Sequence, residues 1–289
     1  MLNGNLKLAI QKSGRLTEKS IQLLRNCGLD IDNYSNRLIV SSRNFNLDLL
    51  FLRDDDIPEY VQDGVADIGI VGENVVIEKE AEVDIIQKLG FGKCKLMIAI
   101  PEDATMMNTE ELSGTRIATS YPKILKNYLK NQKIDAKVIT ISGSVEIAPS
   151  LGIADSICDI VSTGNTLKLN KLKKFTSVFD SEAVLIGTKI LDPGSEKYIL
   201  LKNLILRIES SLNARTSKYL MMNVPKQSLE RIEEILPSLK SPTILPLADE
   251  SMLSVHAVIP SDTFWDIQND LINAGASGLL LIPIENMLL

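Results

Sequence analysis

Residues 157–167 read "ICDIVSTGNTL", and this stretch decides the fold. Ile157-Cys158-Asp159-Ile160-Val161 is a short apolar run of strand type, Ser162, Thr163, Gly164, Asn165 and Thr166 are small and polar, and Leu167 opens a helix. A strand, a tight polar turn and a helix in succession form the repeating unit of an α/β fold. The turn offers hydroxyls and backbone N–H groups with little bulk at a helix N-terminus, which suits a phosphate. It also suits an ordinary strand-to-helix turn with Thr166 as N-cap. The rest of the chain decides between the two.

The same alternation extends in both directions. "LKLAI" (Leu6–Ile10) is predicted as a strand and "TEKSIQLLRNCG" as a helix with Ile21, Leu24 and Cys27 on one face and Gly28 as its stop. "NRLIVSS" and "LDLLFLR" are strands, and "DDDIPEYVQDG" is a short helix capped by Asp56, with Pro58 in its first turn. The strand "ADIGIVG" then leads into a helix opened by Glu73 and Asn74. From Lys95 a second set begins: strands "KLMIAIP" and "TRIATS", helix "PKILKNYLKNQ", strand "KVITI", helix "SVEIAPSLGIAD" and the strand quoted first. Such strands call for mostly parallel sheets covered on both faces, and two sheets fit better than one. "AVLIGTKI" is one more strand, and "EKYILLKNLILRIESSLNAR" is a long amphipathic helix that returns the chain to the first lobe. The remainder reads β-α-β-β-α-β, the ferredoxin-like order. The expected division is lobe I at 1–95 and 186–212, lobe II at 96–185, and a C-terminal domain at 213–289.

At 289 residues with a net charge of −6, the chain has ample core and no basic stripe with interleaved aromatics, so nucleic acid is excluded as a partner. "MLNGNLKLAIQKSG" has no secretory pattern, and no apolar window approaches a membrane span, which predicts a cytoplasmic protein with no membrane partner. Cys27, Cys94 and Cys158 lack C-x-x-C spacing, which argues against zinc and fits a reducing compartment. The one histidine, His256, falls in the alternating strand "LSVHAVI" as a half-exposed strand residue rather than a catalyst. Nucleophilic triads and histidine metal sites drop out with it. "KLNKLKK" (Lys168–Lys174) reads as the solvated face of the helix after Leu167, with one lysine available to screen a phosphate.

Polar loops at the C-terminal ends of strands remain, at the edge where open α/β sheets bind ligands. "QKSGR" brings Lys12 and Arg15 as phosphate contacts or as a surface turn. "RDDD" brings Arg53 as a planar contact beside an acid cluster that also caps a helix. "GEN" brings Gly72 and Glu73, and "TSYP" brings Ser120 and Tyr121. A phosphoribosyl donor needs hydroxyl and N–H donors for its 5′-phosphate and carboxylates for its ribose; Glu146 and Asp159 are the carboxylates in reach, with Asp155 a weaker third. The common loop with two adjacent acids immediately before T-G-G-T is not present: only Asp159 is in that vicinity, and Asn165 replaces a glycine.

"QKSGR", "RDDDIP", "DGVADIGIVGEN", "RIATSYP", "GSVEIAPSLGIAD" and "ICDIVSTGNTL", in this order, resemble ATP phosphoribosyltransferase of the long form, from about Leu6 to the C-terminus. The resemblance implies a two-lobed catalytic part of periplasmic-binding-protein type II topology with its site between the lobes. It implies that ATP and 5-phosphoribosyl 1-diphosphate give N1-(5-phosphoribosyl)-ATP and diphosphate, with Mg²⁺ accompanying the diphosphate and no protein ligand assigned to it. Arg15, Glu146 and Asp159 are then the catalytic residues. Ser162, Thr163, Gly164, Asn165, Thr166 and Leu167 hold the phosphoribosyl diphosphate, and Lys12, Arg53, Gly72, Glu73, Ser120 and Tyr121 meet ATP. The resemblance also implies histidine as a feedback inhibitor at Asn223, Leu239, Ser241, Thr243, Val258 and Gly278, and a homo-oligomer running from dimer to hexamer. The competing readings are a two-lobed anion sensor without chemistry and a phosphoribosyltransferase for another base.

Overall fold

Leu47–Leu52 and Ile68–Gly72 are buried along almost their whole length, as strands must be when both faces of their sheet are covered. The computed structural model describes residues 4–32, 34–35, 37–161, 165–188 and 192–289. In chain order the first elements are β1 (Leu6–Gln11), α1 (Arg15–Asn26), β2 (Ile39–Ser41), β3 (Leu47–Leu52), α2 (Ile57–Gln62), β4 (Ile68–Gly72), α3 (Glu73–Lys79) and β5 (Asp84–Lys88). Then come β6 (Cys94–Pro101), β7 (Arg116–Thr119), α4 (Pro122–Gln132), β8 (Lys137–Thr140), β9 (Ser156–Val161), α5 (Asn165–Leu169), β10 (Leu172–Ser181) and β11 (Ala183–Gly187). The last are α6 (Glu196–Arg215), β12 (Ser217–Pro225), α7 (Leu229–Ile235), β13 (Thr243–Pro246), β14 (Met252–Pro260), α8 (Phe264–Asn273) and β15 (Ser277–Pro283).

By compactness the chain forms two units, Met1–Ile21 with Ile31–Tyr198 and Gln22–Asp30 with Ile199–Leu289. The first unit holds two sheets, ordered β2-β3-β1-β4-β11-β5 and β10-β6-β9-β7-β8. Each is mixed. Parallel pairing is confined to β3-β1-β4 and β8-β7-β9, while β11 and β6, which arrive from the other sheet, run antiparallel to their neighbours. Two sheets of this order, with the chain passing out after β5 and back at β11, make the periplasmic-binding-protein type of topology. Ile57 and Val61 of α2 pack on Ala9 and Val71 in the first sheet. In the second, Leu96, Ile98 and Ile117 face Leu125 and Leu129 of α4, whereas Ala99, Ile157 and Val161 face Leu167 on the opposite side. The second unit carries the sheet β13-β14-β12-β15, antiparallel throughout, with a core of Leu220, Met222, Val255, Ile259, Phe264 and Leu271. Its order matches the ferredoxin-like reading element for element.

Four local expectations are corrected. "SVEIAPSLGIAD" is not a helix: Ser144 has φ 49°, Pro149 lacks an N–H, and only the single turn Val145–Ile147 forms. "KLNKLKK" divides between α5 and β10 at Lys171, whose φ is 54°, so Lys173 and Lys174 belong to a strand. Asp56 precedes α2 without any side-chain capping bond. α6 groups with the second unit rather than with the first lobe, because Arg207 donates to the Cys27 carbonyl and the Met287 N–H donates to the Ser210 carbonyl.

Candidate functional site

Asp159 lies in β9 opposite Met97 of β6, on the sheet face that also packs Val145. This register brings the turn carrying Glu146 to β9, so the two carboxylates, thirteen positions apart in sequence, become neighbours. Burial raises the Asp159 carboxyl above the ordinary carboxylate range, the Ile160 N–H opposes this, and the nearby Glu146 charge adds to the rise. From the other side comes Tyr121, whose half-buried phenol is pushed far up, first by burial and then by the charges of Asp159, Asp54 and Asp55. Asp54 and Asp55 form the turn after β3 in the first sheet. Tyr121 of the second sheet thus faces the turn of Asp54 and Asp55 after β3, across the cleft between the two sheets.

Ser120 is already committed: its hydroxyl donates to the Ile141 carbonyl at 2.8 Å and accepts the Gly143 N–H at 3.3 Å, which holds the loop after β8. Glu73, nearly buried, pairs with Lys88 at 3.0 Å, and its N–H donates to the Glu182 carbonyl. Gly72 is required where it stands, since a Cβ there would lie 2.5 Å from the Asn74 amide oxygen. Arg15 is exposed at the start of α1, and Arg53 is exposed. Lys12 lines a separate small cavity of about 290 Å³ with Tyr34 and Arg37. Asn165 and Thr166 are exposed and Leu167 is buried in α5, which begins at Asn165 rather than at Leu167. Ser162, Thr163 and Gly164, the centre of the expected phosphate cradle, lie outside the described residues.

The sequence reading passed over three lysines and met a fourth, Lys174, only as part of the run "KLNKLKK". A cavity of about 650 Å³ is lined by Lys88, Lys93, Lys95 and Lys174 together with Asp180 and Val161, the residue just before Ser162. Lys95 pairs with Asp180 at 3.3 Å. These lysines come from β5, the segment before β6, β6 and β10, so no linear motif announces them; "GKCK" at 92–95 is the nearest signal. A second cavity of about 440 Å³, lined by Asp55, Glu59, Glu78, Ser120 and Tyr121, also joins residues of both sheets. One is rich in cations and borders the end of β9 at Val161; the other is richer in carboxylates.

In the second unit, strand alternation sends Leu220, Met222 and Val224 into the core, so Asn223 stands on the opposite face. Register pairs Asn223 with Ser254, and His256 with Thr243, which puts Thr243 and Val258 on that same face. Gly278, at φ 60°, lies against the Asn223 amide, where a Cβ would sit 3.4 Å from Nδ2. Leu239 and Val258 line a cavity of about 510 Å³, with the Leu239 N–H donating to the Val258 carbonyl. Ser241 is exposed just before β13. His256 is half-buried, with Nδ1 2.8 Å from the Tyr219 hydroxyl and Nε2 2.8 Å from the Ser254 hydroxyl. Among the described residues no helix is long and apolar enough to cross a membrane.

The family described as ATP phosphoribosyltransferase matches residues 53–210, and the one described as HisG, C-terminal domain, matches residues 214–286. ATP phosphoribosyltransferase of Cytophaga hutchinsonii is 49% identical over 282 residues, covering 98% of either chain. The enzyme of that name from Bacteroides thetaiotaomicron is 47% identical over 283 residues, 98% of this chain and 99% of its own. Among solved structures, a chain of the ATP phosphoribosyl transferase (HisG:HisZ) complex from Thermotoga maritima aligns with a TM-score of 0.58 at 30% identity, over 71% of this chain and 98% of that one. The two-sheet first unit, the ferredoxin-like second unit and full-length identity to these relatives agree: the chain belongs to the ATP phosphoribosyltransferase family.

Proposed function

We propose that this chain transfers the phosphoribosyl group of 5-phosphoribosyl 1-diphosphate to N1 of ATP, giving N1-(5-phosphoribosyl)-ATP and diphosphate, the first step of histidine biosynthesis. The observation that carries the reading at the level of the site is the neighbouring pair Glu146, on the turn Val145–Ile147, and Asp159, on β9, whose cross-strand partner Met97 lines the lysine cavity. Carboxylates suit ribose hydroxyls and a carbon that becomes electron-poor; cations suit diphosphate. Adenine N1 carries its own lone pair, so the attack needs no general base. It forms the N1–C1′ bond as the C1′–O bond breaks, and the electron pair leaves with diphosphate. Alignment and charge stabilisation are then the whole task, and positioning of this kind supplies about 7–11 kcal/mol.

In this reading Ser162 to Leu167 hold the 5′-phosphate end, Arg15 and the four cavity lysines meet diphosphate, and Tyr121 with Arg53, Gly72 and Glu73 meets the nucleotide. Ser120 serves by bracing the loop after β8, and Lys12 contacts a phosphate from the turn after β1. Mg²⁺ belongs with the diphosphate: no group of three or more His, Cys, Asp or Glu among the described residues is arranged as a cage, and this ion commonly uses one or two carboxylates plus substrate oxygens. Glu146 and Asp159 would meet it, and when bound it neutralises charge on the leaving group. Histidine binds the second unit on the sheet face of Asn223, Thr243 and Gly278 and at the cavity edge of Leu239 and Val258, with Ser241 beside them. Exposed Leu280 and Ile282 offer apolar surface for assembly from dimer to hexamer. Three free cysteines suit work in the cytoplasm.

The test mixes protein, ATP, phosphoribosyl diphosphate and Mg²⁺ and follows the absorbance of the N1-substituted adenine. Product with ATP, and none with other bases, is expected; no product with any base would reject the reaction.

A further inference from the structure

α4 begins at Pro122, and its first backbone donors are fully accounted for, although no residue of its own segment caps it. Tyr121, at the N-cap position, makes no side-chain capping bond. Its phenol lies instead among the charges of Asp159 and Asp54, and its N–H donates to Thr119 Oγ1 at 2.9 Å. Pro122 has no N–H, and the Leu125 N–H reaches the Tyr121 carbonyl. The two donors between them go to one carboxylate from the other sheet. The Lys123 N–H donates to Glu78 at 3.0 and 3.1 Å, and the Ile124 N–H donates to Glu78 at 3.0 Å. Glu80, two residues further along the first-sheet segment, pairs with the Lys123 side chain.

Glu78 lies in the last turn of α3. A carboxylate there opposes that helix's own dipole, so α3 gains nothing from it. The favourable partner is the positive end of α4. The geometry points to Glu78 as a positioning residue: a cap supplied by the first sheet that fixes the N-terminus of α4, and with it Tyr121, in the attitude the nucleotide meets. The two donors are unpaired whenever Glu78 withdraws. The same carboxylate occupies a helix N-terminus that would otherwise attract a phosphate. It thereby keeps the triphosphate away from Tyr121 and leaves that end of the cleft to the base. This inference rests on the proposed use of the cleft for ATP.

The experiment compares wild type, Glu78→Ala and Glu78→Gln by steady-state kinetics with each substrate varied, by thermal unfolding, and by hydrogen exchange of the Lys123 and Ile124 amides. Glu78→Ala is expected to raise KM for ATP about tenfold, which is about 1.4 kcal/mol, with KM for phosphoribosyl diphosphate within twofold. Glu78→Gln, which keeps one acceptor oxygen, falls between. Both amides exchange at least tenfold faster in Glu78→Ala. Equal rises in both KM values, or an unchanged KM for ATP, would overturn the positioning role. Unchanged amide exchange would overturn the cap itself. Wild type without phosphoribosyl transfer to ATP would reject the reaction, and the amide exchange would still decide the cap.

Discussion

Replacing Asp159 by asparagine should move activity and stability in opposite directions. The asparagine is isosteric, and its amide oxygen can still accept the Ile160 N–H that Asp159 Oδ1 accepts at 2.8 Å. The local geometry therefore survives and only the charge goes. Loss of one preorganised charge aimed at the reacting centre typically costs about 10²–10³ in rate, or about 2.7–4 kcal/mol. kcat/KM is expected to fall by at least that lower factor. The folded protein, however, disfavours the Asp159 anion through burial and through Glu146. A carboxyl raised in the folded state contributes stability that is complete below its unfolded value and is lost as pH rises through the folded value. Asparagine stays neutral throughout, so Tm rises at pH 7 and the gain disappears in acid. For a domain of this size a gain on the order of 1 kcal/mol moves Tm by about 2–4 °C. Wild-type turnover should show an acid limb displaced above the ordinary carboxylate range. Turnover of the variant within threefold of wild type, or a lower Tm at pH 7, would refute the placement of this carboxylate.

Lys174→Ala, on the cavity side of β10, should weaken phosphoribosyl diphosphate binding and flatten its salt dependence without lowering Tm; calorimetry in two salt concentrations checks both. Gly69→Ala would place a Cβ 2.7 Å from Ile57 and 3.1 Å from Val61, an overpacking cost of about 1–3 kcal/mol visible in denaturant unfolding, whereas loss of no stability would mean that α2 moves freely. Asp155→Ala removes the fork to Arg116 and the bond to the Arg116 N–H at 2.8 Å. Because both side chains are more than a third exposed, the cost is small. Arg116 lowers the Asp155 carboxyl, so this contribution is present above the ordinary carboxylate range and vanishes as pH falls below it, where variant and wild type should unfold alike. Histidine titration of wild type and Thr243→Ala should show weaker inhibition in the variant; equal inhibition would remove that sheet face from the effector site.

The sheet strands were legible because burial on both faces leaves continuous apolar runs, and the ferredoxin-like order because alternation and turns are strong in a small antiparallel sheet. α6 was legible to the residue, Glu196 to Arg215, but not its allegiance, since which unit a helix joins depends on contacts such as Arg207 with Cys27. β5 and β10 were hidden. Their lysines and acids obscure the period, and one strand of each sheet is recognisable only by its partner. At the site, Asp159 and Tyr121 stood out as polar residues at strand ends. The lysine cavity did not, because Lys88, Lys93, Lys95 and Lys174 meet only through register. Glu78 was silent for the same reason: nothing in "ENVVIEKE" says that a helix 45 residues later lacks a cap.

Among the described residues β5 pairs with β11 alone, and β11 is made only after the whole second sheet. Cys94 of β6 stands opposite Ser181 of β10, so completing that sheet delivers the chain back beside its own point of departure, where Ala183 exchanges hydrogen bonds with Leu89 and Phe91. For a flexible loop of about 90 residues the length-dependent closure cost is about 4 kcal/mol. The inserted sheet takes on that cost within its own folding. The first lobe therefore acquires its last two strands late and as a pair, and during synthesis the ribosome exposes an unfinished edge at β4 until residue 187 has emerged.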